Sequence, residues 1–178
     1  MNVSLRPVDT RTQRDALIAF LSSNRFPFHG SPAPTAAEAA ARVDRGDFGP
    51  PDNIALWIDE DDIDRVGVIV FEEIAHGTPL IDLRIAERHR GRGIGVAALR
   101  AATTAIFAAH PDLNRIEGNT RSDNTAMRLV FDRAGYVKES HYREAWPVAE
   151  GTPMDSIGYA ILRRDWESGT TTPVDWAG

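Results

Sequence analysis

The sequence predicts a single α+β domain built on a mostly antiparallel sheet, and three observations carry that expectation. Three strand-like runs, Ile54 to Ile58, Arg65 to Ile74 and Leu80 to Ile85, follow one another across short turns, as in an antiparallel meander. Helical segments stand before and after them rather than alternating regularly with each strand. A chain of 178 residues with 42% hydrophobic content can bury one core without metal or disulfide support. No internal repeat or linker divides it, so residues 1–168 are expected to form the domain and 169–178 a loose tail.

The elements follow in order. Val3 to Val8 reads as a strand, and Thr10 with Gln13 opens a helix that places Ala16, Leu17, Phe20 and Leu21 on one face. From Arg25 to Pro34, prolines and a glycine among aromatics defeat regular structure but leave apolar side chains to bury, which predicts a packed loop. Thr35 and Glu38 form a capping box for an alanine-rich helix ending before Gly46, and Pro50-Pro51 breaks the chain. After the meander, a helix runs from about Gly93 to Ala109 and a strand from Arg115 to Thr120. Ser122 or Asp123 is expected to cap the next helix, with Met127, Val130, Phe131 and Ala134 inward and Gly135 as its stop. Two strands, near Tyr136 to Trp146 and Asp155 to Leu162, close the domain across Glu150-Gly151-Thr152-Pro153.

Composition excludes several functions. No apolar run reaches the roughly 20 residues of a membrane span, and the first residues lack a signal-peptide plan, so a cytoplasmic protein without a membrane partner is expected. Without cysteine there is no disulfide, thiolate metal site or acyl-cysteine intermediate, which favours direct transfer in any acyl chemistry. A net charge of -6 argues against nucleic acid as a partner. The acidic run Asp59-Glu60-Asp61-Asp62 lacks the spaced ligands and glycine of a cation loop and reads as a solvated turn, leaving no metal site.

The most informative segment is Arg88-His89-Arg90-Gly91-Arg92-Gly93-Ile94-Gly95-Val96, between a strand end and a helix start. Glycines there let the backbone approach a ligand and aim amide N–H groups at one point, and the helix start adds partial positive charge. With Arg90 and Arg92 beside it, the turn suits a pyrophosphate. Gly93-Ile94-Gly95-Val96-Ala97-Ala98 also matches a dinucleotide fingerprint, with Glu117 near the ribose-contact spacing. That fingerprint should directly follow an apolar parallel strand, whereas residues 87 to 90 are charged and an antiparallel meander precedes them. A P-loop is excluded by the lack of its GK[ST] ending.

Arg90-Gly91-Arg92-Gly93-Ile94-Gly95 resembles the Q/R-x-x-G-x-G/A acyl-CoA signature of the GCN5-related N-acetyltransferases (GNAT superfamily), with Arg90, Gly93 and Gly95 in register. Arg115-Ile116-Glu117, Asp123 to Arg128, Phe131 and Ala134-Gly135-Tyr136-Val137 resemble the ribosomal-protein alanine acetyltransferase (RimJ/RimL-like) branch. The resemblance implies a strongly curved sheet of six to seven strands, helices on both faces and a central V-shaped splay between the strands at Asp82 to Ile85 and Arg115 to Thr120. It further implies acetyl-CoA as co-substrate. Its pyrophosphate would lie on the amides of Gly91, Arg92, Gly93, Ile94, Gly95 and Val96 with Arg90 and Arg92 nearby. Pantetheine would pair with Leu83 and Ile85 and bond Asn124, and Arg128 would lie toward the nucleotide. The acceptor would be a primary amine on a protein N-terminus, polyamine, amino sugar or small metabolite, and the protein a monomer or homodimer.

The chemistry needs an oxyanion donor, for which the backbone N–H of Ile85 is the candidate, and a base, because an alkyl ammonium has a pKa of about 10. Glu117 is the candidate base, with a water held by Asn119 as the other route; both share one strand face. Related enzymes carry a tyrosine where this chain has Phe131, and can carry a serine where it has Met127; neither residue present here donates a proton. Ser122, Tyr136 or Tyr142 remain as acids, or the thiolate leaves directly. A non-catalytic acyl-CoA binding module is the competing expectation. His29 is read first as a structural loop histidine and second as a substrate contact.

Overall fold

The computed structural model describes residues 2–148 and 151–176. Its elements in chain order are β1 (Val3–Pro7), α1 (Arg14–Ser22), α2 (Ala36–Arg45), β2 (Ile54–Glu60), β3 (Ile63–Glu72), β4 (Leu80–Ile85), α3 (Ile94–Ala109), β5 (Arg115–Arg121), α4 (Thr125–Ala134), β6 (Val137–Trp146), β7 (Met154–Leu162) and α5 (Arg163–Ser168), with short 3-10 turns at Ile74–His76 and Glu87–His89. The strands form one sheet in the order β1-β2-β3-β4-β5-β7-β6. Every neighbouring pair is antiparallel except β4 and β5, which run parallel and meet at the single pair Leu80 with Glu117. Beyond that point the two strands diverge, which is the expected splay.

Two apolar layers sandwich the sheet. On one face α1 and α2 bury Leu17, Leu21, Ala39 and Val43 against Trp57, Val68 and Val70. On the other, α3 lays Ile94, Ala98, Leu99, Ala102 and Ile106 onto Ile58, Ile69, Phe71 and Ile116. The alanines of that stripe let the helix axis approach the strands closely, and each large buried aliphatic contributes about 1.5–3 kcal/mol. The Thr35–Glu38 capping box forms in both directions, and Gly46 stops α2 at a φ of 94°.

Three local expectations are corrected. The acidic run is not one solvated turn: Asp59 and Glu60 are buried in β2, and only Asp61 and Asp62 make the exposed turn. Partners that lie far off in sequence explain this. Asp59 accepts hydrogen bonds from the Arg6 guanidinium and from the Arg65 N–H at 2.7 Å, and Glu60 pairs with Arg92 at 2.8 Å. The cap of α4 is Asn124, whose Oδ1 accepts from the Met127 N–H at 3.2 Å, rather than Ser122 or Asp123. The end of the chain is not wholly loose, because Thr172 bonds buried Asp165 through its N–H and hydroxyl, although residues 170–175 hold no regular structure. Of the turn joining β6 to β7, Glu150 lies outside the described residues.

Candidate active site

A cleft of about 360 Å³ lies beside the edge of β4 that faces away from β3. It is walled by β4 (Leu83, Arg84, Ile85), by the loop from Phe26 to His29, by the glycine turn, and by α4 (Asn124, Met127, Val130, Arg133). Strand alternation divides β4 chemically. Ile81, Leu83 and Ile85 turn toward the α3 core, while Asp82 and Arg84 face the side covered by α1, α2 and the 26–29 loop. The Ala86 N–H donates to Val66 O at 2.9 Å, which by ladder alternation directs the backbone of Arg84 and Asp82 at β3 and that of Leu83 and Ile85 into the splay.

The glycine turn sits at the mouth. Gly91 and Gly93 have φ of 74° and 86°, and a Cβ at Gly91 would meet nothing within 4 Å, so the turn is open on its outer side. Among the described residues the amides of Gly91, Arg92, Gly93, Ile94, Gly95 and Val96 have no intrachain acceptor, and the first N–H bonded back into α3 is that of Ala97, to Gly93 O at 3.3 Å. Six free N–H groups at the start of a 16-residue helix are donors of the kind a diphosphate accepts from, and they fit the coenzyme expected there. Gly95 has a second role: a Cβ there would stand 3.2 Å from Val130 Cγ2, so its absence lets α4 pack against α3.

The arginines are distributed differently from the expectation. Arg90 lines the cleft but turns back, with Nε donating to Ile85 O at 2.9 Å, NH2 to Arg25 O, and the guanidinium 5.6 Å over the Phe26 ring. Arg92 points beneath the turn to buried Glu60. Arg128 bonds Ser122 O at 3.0 Å and the Tyr159 hydroxyl at 3.4 Å, and does not line the cleft. Arg133, about 1.4 helical turns on and so on a different side of α4, lines it and has no carboxylate partner among the described residues. Its arginine spacing along α4 was the signal available in sequence, but the helix phase that separates it from Arg128 was not. Asn124 does reach the cleft while capping α4 and donating Nδ2 to Thr120 Oγ1 at 2.9 Å.

Neither Glu117 nor Asn119 lines the cleft. Glu117 stands at the closed end of the splay, its N–H bonded to Pro79 O at 2.9 Å and its carboxylate 2.8 Å from Arg115 Nε, close but not aligned as a hydrogen bond. Asn119 is exposed beside Gly158 of β7. The aromatic ring of Phe131 is in the core, stacked on Tyr159 at 4.8 Å and pressed against Gly118. Tyr136 is also buried, its hydroxyl 2.7 Å from that of Thr103, and burial raises its pKa above the ordinary phenol value. Tyr142 is exposed on β6. Among the described residues, no serine, threonine or tyrosine lines the cleft.

The loop contributes what sequence reading weighed least. His29 Nε2 lies 3.0 Å from Asp82 Oδ1, and Asp82 also receives Arg84 in a two-pronged contact at 2.8 and 3.1 Å. Burial alone would raise the Asp82 carboxyl, but Arg84 and then His29 outweigh it and hold it well below the usual carboxylate range. Phe28 reaches across to Arg121 of β5, whose guanidinium lies 5.1 Å above its ring, so the loop bridges both sides of the splay.

The fold is shared by solved acetyltransferases. A spermidine N-acetyltransferase from Vibrio cholerae in complex with CoA and spermine aligns with a TM-score of 0.76 at 18% identity, over 93% of this chain and 98% of that one. A chimera of the Vibrio cholerae spermidine enzyme with hSSAT aligns at 0.78 and 18% identity, over 94% and 99%. A GNAT-family acetyltransferase from Bacillus anthracis aligns at 0.75 and 19%, over 92% and 96%. These likenesses overturn the expected ribosomal-protein alanine branch, since the matching structures are repeatedly spermidine enzymes. The residues behind that expectation do general structural work: Asn124 caps α4, Gly135 stops it and Tyr136 fills the core. Residues 2–137 match the family model described as an acetyltransferase (GNAT) domain, and the chain belongs to that family.

Proposed function

We propose that the protein transfers the acetyl group of acetyl-CoA to a primary amine of a polyamine-class small molecule, by direct attack in a ternary complex. The observation that carries this reading is the splay of β4 from β5, ending at six unpartnered amides from Gly91 to Val96. Those amides hold the pyrophosphate, with Arg133 rather than Arg128 beside it as a cation that has no carboxylate partner among the described residues. The pantetheine arm runs along the exposed edge of β4 at Leu83 and Ile85 and past Asn124 and Met127. The Ile85 N–H donates to the thioester carbonyl oxygen and stabilises the charge that gathers there as the amine attacks. With no hydroxyl side chain on the cleft walls among the described residues, CoA leaves as the thiolate and takes its proton from water. The similar spermidine enzymes and the net charge of -6, which draws cations by long-range attraction, support a polyamine acceptor.

Thiol release and product mass, measured with acetyl-CoA and spermidine, test the proposal. Formation of acetylspermidine supports it. Saturable acetyl-CoA binding without acetylation of spermidine, spermine or other alkyl amines would support instead the non-catalytic acyl-CoA module, which the lack of a cleft hydroxyl favours.

A further inference from the structure

We propose that His29, held by Asp82, is the general base that takes the proton from the acceptor amine. The inference rests on the acetyl-transfer reading above and names the group that makes it work on an alkyl amine. The ring of His29 lines the cleft on the face of β4 opposite the α3 core. Its Nε2 is committed to Asp82 at 3.0 Å, which fixes Nε2 as the protonated nitrogen and leaves Nδ1 as a lone-pair acceptor. Nδ1 is buried and has no hydrogen-bond partner among the described residues. An unpartnered buried acceptor is costly, and the residue that carries it lines the cleft, so its retention calls for a partner that arrives with the substrate.

Several contacts hold the ring in place. Phe26 packs edge-on against it at 5.7 Å, and Phe26 is itself pinned beneath the guanidinium groups of Arg84 and Arg90. The charged groups around His29 come from four places: Asp82 and Arg84 on β4, Arg42 on α2 at 3.7 Å from Asp82, Asp47 bonded to Arg42, and Glu72 on β3. Arg84 and Arg42 share the Asp82 charge with His29, an acid–base–orienter arrangement in which the carboxylate orients the imidazole without itself moving a proton. Glu117, by contrast, is engaged with Arg115 at the closed end of the splay.

In the proposed step the ammonium gives one proton to His29 Nδ1, and the neutral nitrogen attacks the thioester carbon. The C–N bond forms and the C–S bond breaks. The second nitrogen proton passes through water to the departing thiolate, and imidazolium returns its proton to solvent, so one thiol, one amide and one proton result.

His29→Gln and His29→Asn are assayed by thiol release with spermidine from about pH 5.5 to about 9.5, beside calorimetric titration with acetyl-CoA. The proposal expects kcat at neutral pH to fall by roughly 10²–10³-fold in both variants, with acetyl-CoA affinity within about 3-fold of wild type. It also expects the wild-type plateau to be replaced by a kcat that climbs with pH as free amine and hydroxide take over. A wild-type profile in the variants, or a uniform drop that leaves the profile's shape unchanged, would overturn the assignment while leaving acetyl transfer standing. Wild-type protein that binds acetyl-CoA but acetylates no amine would overturn both.

Discussion

Gly118 is the position where a single methyl group should do the most damage. A Cβ built there would lie 2.3 Å from Phe131 Cζ and 2.6 Å from Cε1, against the 3.4–4 Å of ordinary contact. Relief requires the ring to retreat by about 1 Å, and it has little room to do so. Phe131 is 1% exposed, stacked on Tyr159 at 4.8 Å and set against Tyr136 at 5.4 Å. Overpacking of this kind costs about 2–3 kcal/mol, which for a chain of this length lowers Tm by roughly 5–10 °C. Gly118→Ala is therefore expected to melt earlier by that amount in differential scanning calorimetry. Phe131→Leu shortens the ring away from Cζ, so the double variant should be more stable than the two separate losses imply, by about 1–3 kcal/mol. A Gly118→Ala protein that melts within about 1 °C of wild type, or a strictly additive double variant, would refute the packing argument.

Other outcomes follow from named contacts. Arg92→Gln leaves Glu60 buried without its cation and should cost about 1–3 kcal/mol of stability in urea titration, less than a fully buried pair because Arg92 is half exposed, with little change in acetyl-CoA affinity. Arg133→Gln should show the reverse, weaker acetyl-CoA binding by roughly 5–10-fold at unchanged stability, because it faces the cleft without a protein partner. Thr35→Ala removes one half of the capping box of α2 and should cost about 1 kcal/mol, read as a lower urea midpoint with the same slope. Because the folded pKa of Asp82 is depressed, its contribution is complete above the unfolded value near about pH 4 and is lost as pH falls further. Wild-type Tm should thus decline in that acid range, and Asp82→Asn, though less stable at neutral pH, should show a flatter decline.

Much of this was legible in the chain. Short-range chemistry marked the elements: the meander, the Thr35–Glu38 box, the stop at Gly135 and the glycine turn at 91–95 are set by residues within a few positions of one another. The turn's place between a strand and a helix was legible too, and its amides from Gly91 to Val96 have no acceptor among the described residues. What escaped depended on partners far off in sequence. Asp59 and Glu60 read as surface acids because Arg6 and Arg92, which neutralise them, come from β1 and the turn after β4. His29 read as an ordinary loop histidine because its Asp82 contact spans 53 positions. Arg128 and Arg133 are indistinguishable by composition, and only the phase of α4 against the cleft separates them. The branch of the family was misread for a related reason, since the motif residues from Asn124 to Tyr136 build the helix and its caps and say little about the acceptor.

The account stands on the claim that the cleft beside β4 receives acetyl-CoA with its pyrophosphate on the glycine turn. Calorimetric titration of the wild type and of Gly93→Glu with acetyl-CoA tests it most directly. The substitution sets a carboxylate at a residue with φ of 86°, in the middle of the amide cradle, and thermal melting verifies that the variant is folded. Saturable one-to-one binding by the wild type, lost in a folded Gly93→Glu protein, is the predicted result; no binding by the wild type, or equal binding by both, would contradict it.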